Sequence, residues 1–242
     1  MNHCVSLVFL VLTFVFCIVS YAGAKGDLGW SRGAAKFSYE EQIGGTTTVK
    51  REFDVDINYG LLKEKGTNKW TVTYLTGPSA GQSSSETQDV ETEYNNSDDC
   101  TASYCDDCAK AGDTVVSFIT FAIIAVIVCA IFTFMRSNNV NSGENSGCKK
   151  FITFGSSVTA GIFLLIAWST WIGGCEEKIK NHLTDNDALN DAWKEYADTI
   201  APSVGFAMAF LGMVSCFIVA LNECCISHSK DTADTTAAVA VP

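Results

Sequence analysis

Residues 115–135 read VVSFITFAIIAVIVCAIFTFM, and this stretch decides the fold. It holds no Asp, Glu, Lys, Arg or His. As a helix rising about 1.5 Å per residue it is long enough to cross a hydrocarbon core roughly 30 Å thick. Two further stretches, Phe151–Gly174 and Ser203–Asn222, share both properties, and a fourth apolar run, Val5–Ala22, opens the chain. Because a lipid-embedded segment must satisfy its own backbone hydrogen bonds, such runs are expected to be helices. The expected fold class is an α-helical membrane protein: a four-helix transmembrane bundle with a small antiparallel β-sheet in the first extracellular loop. The bundle has three helices if the N-terminal run is a cleaved signal peptide.

The charge lies between the apolar runs. Of the net −11, residues 25–114 carry −7 and residues 175–202 carry −4, whereas residues 136–150, with Arg136, Lys149 and Lys150, carry +2. The positive-inside rule places that basic segment in the cytosol. The expected organisation is then a first helix or signal peptide over 1–24, an extracellular β-rich loop over 25–114 and a helix over 115–135. A cytosolic loop follows over 136–150, then a helix over 151–174, a second extracellular loop over 175–202, a helix over 203–223 and a cytosolic tail over 224–242. Within that tail, Ser227–Pro242 is rich in Thr, Ala and Asp and reads as disordered. An acidic exterior excludes nucleic acid as a partner, because phosphate binding needs Lys and Arg. The lipid bilayer is the first partner, and plasma membrane is the default location for a secretory-route chain without a retrieval signal.

The N-terminus supports two readings. Val5–Val19 has the length of a signal h-region, and Ala22-Gly23-Ala24 is a small-residue cleavage site. Against cleavage, Met1–Cys4 holds no Lys or Arg, and Val5–Ala22 reaches the lower edge of spanning length. Either way Lys25 lies outside.

Under this topology Cys100, Cys105, Cys108 and Cys175 face the oxidising side, and an even number there suggests two disulfides. Three pairings are open, and if all four are paired Cys175 must bond back to the first loop. Cys105-Asp106-Asp107-Cys108 is a C-x-x-C without a second such motif, a nearby His or a βαβ context, so structural disulfides are expected rather than redox chemistry or zinc. Cys148, Cys224 and Cys225 lie at cytosolic helix ends, where thiols are palmitoylation candidates or free.

In Glu52–Leu61 the residues Phe53, Val55, Ile57, Tyr59 and Leu61 alternate with Glu52, Asp54, Asp56 and Asn58, the period of a half-buried strand. Trp70, Val72 and Tyr74 alternate likewise, and Phe37–Tyr39 and Thr46–Val49 add strand. Lys63–Asn68, with Gly66-Thr67-Asn68, reads as the hairpin connector between the two clearer runs. Gly77–Asn96, almost free of aliphatic residues, reads as a mobile loop. It contains the glycosylation acceptor Asn95-Asn96-Ser97. Asp54-x-Asp56-x-Asn58 resembles the start of a calcium loop, but the glycine is one position late and Lys65 stands where the bidentate Glu belongs. Alternation places these three side chains on the solvated strand face.

No intramembrane acid or base marks a transport path, and the three histidines, His3, His182 and His228, are scattered. An enzyme is not expected, nor a catalytic, cofactor-binding or metal residue. Ser157, Gly161, Gly205, Ala209 and Gly212 let helices approach closely, for packing with sister helices or in a homo-oligomer. Trp168 and Trp171 are expected at the membrane interface, and Ile179, Leu183, Leu189, Trp193 and Tyr196 make the second loop partly amphipathic, extending its helix outward.

This layout of one long strand-bearing exterior loop, two helices joined by a short cytosolic turn, a short second loop and a last helix resembles the claudin and peripheral myelin protein superfamily. That group includes channel auxiliary subunits and amastin-like surface proteins. Trp30 shortly after the first apolar run, Tyr59-Gly60-Leu61-Leu62 beside the family's Gly-Leu-Trp signature, and the Cys224-Cys225 pair carry the resemblance. It implies that Trp30, Tyr59, Gly60, Leu61, Trp70 and Tyr74 build an extracellular sheet. Leu62 stands where the signature has tryptophan, and no cysteine pair follows it at the family's short spacing, the loop cysteines clustering instead just before Val115, so the family's strand-clamping disulfide is not carried over. The terminal Pro242 does not suit a PDZ-binding end. The resemblance implies cell-surface interaction, adhesion or membrane organisation through loops. The alternative is an auxiliary subunit that binds a channel or receptor through its helices.

Overall fold

A computed structural model describes residues 3–23, 28–96, 98, 100–138, 147–185 and 191–238. Four helices are long and apolar enough to cross a membrane, as expected of a multi-pass membrane protein. In chain order the elements are α1 (His3–Ala22), β1 (Ser31–Ile43), β2 (Thr47–Tyr59), β3 (Lys63–Tyr74), β4 (Ser83–Glu93), α2 (Cys105–Asn138), α3 (Gly147–Trp171), a π-turn (Ile172–Glu176), α4 (Glu177–Asp185), α5 (Asp191–Thr199), β5 (Ala201–Pro202) and α6 (Val204–Ala238). The chain divides into a helical unit (Met1–Tyr21, Ser117–Trp168, Met208–Pro242) and a sheet unit (Ala22–Val116, Ser169–Ala207).

The helical unit is built inside out relative to a water-soluble bundle. In α1 the buried residues Ser6, Leu10, Thr13, Cys17 and Ser20 recur at three- and four-residue steps. Alanine, cysteine and hydroxyl residues do the same in α2 (Ala122, Cys129, Thr133) and α3 (Thr153, Ser157, Ala160, Ala167). The outward positions are large and apolar, among them Val11, Phe121, Ile131, Phe134 and Leu221. Small seams let backbones approach where burying apolar surface gains nothing over lipid. Ser157 Oγ donates to the Cys216 carbonyl at 2.6 Å across one such seam.

The sheet unit holds a five-stranded antiparallel sheet of order β4-β3-β2-β1-β5. Its register aligns Phe37, Phe53 and Trp70 in one cross-strand row. On that face lie Val49, Val55, Ile57, Tyr59, Val72 and Tyr74; the opposite face carries Arg32, Lys36, Asp54, Asp56, Lys69 and Thr71. The alternation read in 52–61 therefore holds as far as Tyr59, with Leu61 already in the turn, and Phe37–Tyr39 and Thr47–Val49 contribute to strands.

Four expectations are corrected. Lys63–Asn68 is not a connector but the first half of β3; the turn lies at Gly60–Leu62, closed by Gly60 N–H donating to the Lys63 carbonyl. Gly66 marks a close backbone approach inside the strand, since a Cβ there would stand 2.1 Å from the Asp56 carbonyl oxygen. Much of Gly77–Asn96 is β4, an edge strand exposed along most of its length, which needs no aliphatic side because it buries only one backbone edge. Gly77 and Gly81 supply the positive φ of the turn before it. Helix α2 starts at Cys105 rather than 115, helped by Asp106 and Asp107 at its positive end. The backbone of α6 runs to Ala238 through the stretch read as disordered; no Gly or Pro interrupts it after Gly212, so helix already nucleated propagates.

Gly112 of α2 lies so close to the β2–β3 turn that a Cβ would meet the Leu61 carbonyl oxygen at 1.7 Å. Gly112→Ala should therefore cost about 1–3 kcal/mol, in the manner of an overpacked core. Thermal unfolding of the detergent-solubilised protein, read as a lowered Tm, checks this.

Candidate functional site

Trp30 ends the segment that enters β1 and is fully buried. Its ring meets Trp171 edge-on at 6.0 Å and Phe206 at 6.2 Å. Its N–H donates to the Tyr59 carbonyl and its own carbonyl accepts from Ser203 N–H, so one residue joins β2 to the start of α6. Trp171 is thus a core residue and not an interfacial one: its indole is fully buried and its Nε1 donates to Ser31 Oγ at 2.9 Å. Ser31 Oγ in turn donates to Glu176 Oε2 at 2.5 Å, and Lys180 Nζ reaches Glu176 Oε1 at 2.9 Å.

The π-turn makes this arrangement possible. Cys175 and Glu176 both lie in its five residues and both are buried. Cys175 bonds to Cys108 of α2, and Cys100 bonds to Cys105, which settles the pairing left open by the sequence. Helical structure continues past the π-turn into α4.

A second buried carboxyl, Glu64 on β3, lies among tyrosines. Tyr104 donates to it at 3.3 Å, Tyr59 and Tyr196 share a hydrogen bond at 3.1 Å, and the buried Tyr94 hydroxyl has no hydrogen-bond partner among the described residues. Burial pushes the Glu64 carboxyl above its ordinary 4.5, and also raises the Tyr196 phenol to about 12.

The surface of the sheet unit is two-faced. On the polar face Arg32 grips Asp56 with two hydrogen bonds of 2.6 and 2.9 Å, and Lys36 pairs with Asp54 at 2.7 Å. The Asp54, Asp56 and Asn58 series thus lies on the solvated face, and the Arg32 bond holds the Asp56 carboxyl below its usual range. On the apolar face Phe53 stacks between Phe37 at 5.2 Å and Tyr39 at 5.8 Å, and Trp193 of α5 meets Phe37 and Phe53 edge-on. Past α5, Tyr39, Phe53, Trp70, Val72 and Tyr74 stay half-exposed. An open cleft of about 540 Å³ lies between the start of α2 and α4. There His182 Nδ1 hydrogen-bonds Ser103 Oγ at 2.9 Å and Lys178 stands 3.9 Å from Asp107. Among the described residues, no three or more His, Cys, Asp or Glu gather as metal ligands.

The residues marked in the sequence divide by depth. Trp30, Tyr59 and Leu61 are core, Gly60 forms the turn, and Trp70 and Tyr74 half-cover the apolar face. Asn95 is exposed just after β4, while Ser97 of its acceptor lies outside the described residues. Cys148 and Cys224 are free and exposed; the Cys225 side chain lies outside the described residues.

The helical unit holds what the sequence reading passed over. Arg136 of α2 forms a buried ion pair with Glu223 of α6, whose side chain is fully enclosed. Ser6 of α1 donates to Glu223 Oε1 at 2.9 Å and accepts from Asn222 Nδ2 at 2.7 Å, and Asn222 Oδ1 is buried without a hydrogen-bond partner among the described residues. The signal was present: an acid and a base each directly follow an apolar run. No protein-family model matches the chain, and no curated protein matches it.

Glu64 carries a sign that can be checked. Its raised value means that the folded state favours the neutral form, so this contribution to stability is present below 4.5 and lost as pH rises through the folded value. Glu64→Gln keeps an acceptor for Tyr104 and should raise Tm at neutral pH, with the gain vanishing as pH falls through 4.5. For the ion pair, Glu223→Gln or Arg136→Met alone should cost about 3–5 kcal/mol, because each leaves a buried charge unpaired. The double variant should cost less than either single change, which a denaturation cycle measures.

Proposed function

We propose that this protein is a claudin-like multi-pass protein of the plasma membrane, acting in cell-surface interaction, adhesion or membrane organisation without catalysis. The sheet unit faces outward and the basic segment around Arg136 and Lys149-Lys150 faces the cytosol. One observation carries the reading: the apolar sheet face past α5, with Tyr39, Phe53, Trp70, Val72 and Tyr74 half-exposed, on a unit braced by two disulfides. Aromatic residues in such a setting are what protein interfaces enrich, and a rigid scaffold lowers the ordering cost of engaging a partner. Asn95 carries a glycan on this side, and acylation of Cys148, Cys224 and Cys225 holds the opposite side to the membrane.

Helix α1 is retained in this reading as the first of four spans. Its support is the buried seam Ser6, Thr13 and Ser20 and the bond from Ser6 to Glu223, since an h-region that is cut away has no reason to carry hydroxyls on one packed face.

Two measurements test the proposal. Non-adherent cells expressing the chain should aggregate with one another or with cells bearing its partner, and Trp70→Ala with Tyr74→Ala should abolish this at unchanged surface level. Absent aggregation together with stoichiometric co-purification of a larger membrane protein would replace adhesion by the auxiliary role. Intact mass and N-terminal sequencing should find residues 1–24 on the mature chain; a start at Lys25 would refute the retained helix.

A further inference from the structure

Strand β4 ends the sheet: β3 pairs with it along all 11 of its residues, and among the described residues no strand lies on its other side. The register runs unbroken from Lys63 opposite Glu93 to Thr73 opposite Ser83, so no bulge twists this edge away, and the strand holds no Pro and no Lys to blunt it. At the two ends of the pair, Tyr74 N–H donates to the Gln82 carbonyl at 2.9 Å and Tyr94 N–H to the Leu62 carbonyl at 3.1 Å. Antiparallel bonding alternates along the chain, so the even-numbered residues of β4 bond to β3. The odd-numbered ones, Ser83, Ser85, Thr87, Asp89, Glu91 and Glu93, turn their N–H and C=O groups outward, and each is exposed.

We infer that this edge seats β4 of a second copy of the chain, antiparallel, about a two-fold axis at Gln88. Such an axis stands perpendicular to the sheet and keeps each face on its own side, so only residues of the same parity can oppose each other. Of the registers this allows, the one centred on Gln88 pairs the whole strand. It sets Asp89 against the partner's Thr87, Glu91 against the partner's Ser85, Glu93 against the partner's Ser83 and Glu86 against the partner's Val90. No acid opposes an acid, and three of the four carboxylates meet a hydroxyl that can donate to them. Every outward backbone group of the strand gains a partner in the same step. A centre at Asp89 would oppose that carboxylate to itself, and a centre at Thr87 would leave the Glu93 end unpaired. From behind, Lys63 pairs with Glu91 and stands opposite Glu93, which offsets the charge that two acidic strands bring together. A strand of another protein fits less well, because an edge shaped for it has no cause to be complementary to itself about its own midpoint. The edge is separate from the half-exposed aromatic face that carries the adhesive reading, and Asn95 falls beyond the paired stretch.

The test places cysteines on the edge of the full-length chain, in a background carrying Cys148→Ser, Cys224→Ser and Cys225→Ser, and oxidises the protein in its membrane. Residues facing each other in a non-hydrogen-bonded antiparallel pair have Cα atoms roughly 4.5 Å apart, within disulfide range. Gln88→Cys should therefore give a covalent dimer as the main product. Glu86→Cys alone should not, since this register holds its two copies more than about 13 Å apart, but chains with Glu86→Cys should crosslink to co-expressed chains with Val90→Cys. In a second arm, Thr87→Pro with Asp89→Pro removes two outward N–H donors and leaves the bonds to β3 in place. In detergent the wild-type chain should sediment as a dimer and this variant as a monomer with unchanged Tm. A Gln88→Cys chain that stays monomeric on oxidation, or crosslinks no better than Glu86→Cys, would overturn the inference, as would a dimer that survives the two prolines. A complex of the wild-type chain with a different protein, lost in the proline variant, would give the edge to a foreign strand and refute it equally. The cysteine arm decides the matter even if the proline variant does not fold.

Discussion

A buried carboxylate, Glu176, organises the sheet unit. Removing a carboxylate from water costs several kcal/mol unless donors replace its hydration. Here Ser31 Oγ and Lys180 Nζ each take one oxygen, and Trp171 Nε1 takes the serine. Those donors come from the first residue of β1, the end of α3 and the first turns of α4, so satisfying one charge fixes three elements. The π-turn is what delivers Glu176 to that point, and it carries Cys175 to Cys108 in the same movement. Trp30, next to Ser31, then fills the space between Trp171 and Phe206. Losing the carboxylate would leave the buried Ser31 hydroxyl without its acceptor.

The helical unit answers a different solvent. Many large apolar side chains face outward, while hydroxyls, alanines and cysteines face in beside Leu10, Ile119, Leu164 and Val219, an outer surface that water would not favour. The hydroxyls largely bond within their own helices, as Thr13 does to the Phe9 carbonyl and Thr133 to the Cys129 carbonyl, and so cost little when buried. Their contribution is smallness.

Much of this was legible because each signal was redundant. Three apolar runs define helices by length and by absence of charge, and the alternation from Glu52 to Tyr59 sets one strand and both sheet faces. What escaped the sequence rested on backbone proximity or on an unusual turn. Gly66 reads as a turn residue until its distance from the Asp56 carbonyl is known. The polar composition of Ser83–Glu93 hides a strand whose pairing comes from backbone groups that every residue possesses. Trp171 reads as an interfacial indole because no periodicity foretells the Ser31 hydroxyl that it meets. The disulfide pairing placed Cys175 in a π-turn that carries no compositional mark beyond Gly173-Gly174.

The ion pair of Arg136 and Glu223 shows where reading charge by segment misleads. Each residue lies just past an apolar run, where a linear count assigns it to a loop and to water. Helices α2 and α6 both continue beyond their apolar runs, so the two charges remain on packed helical faces and are enclosed there. A basic residue counted toward orientation in a positive-inside reading can therefore be a core residue instead, and Arg136 is buried. The basic residues of that segment that stay accessible are Lys149 and Lys150, which are half-exposed. Counting charge on a membrane protein separates into two tasks, which charges direct insertion and which remain on the surface afterwards, and only the second determines what the folded protein can attract.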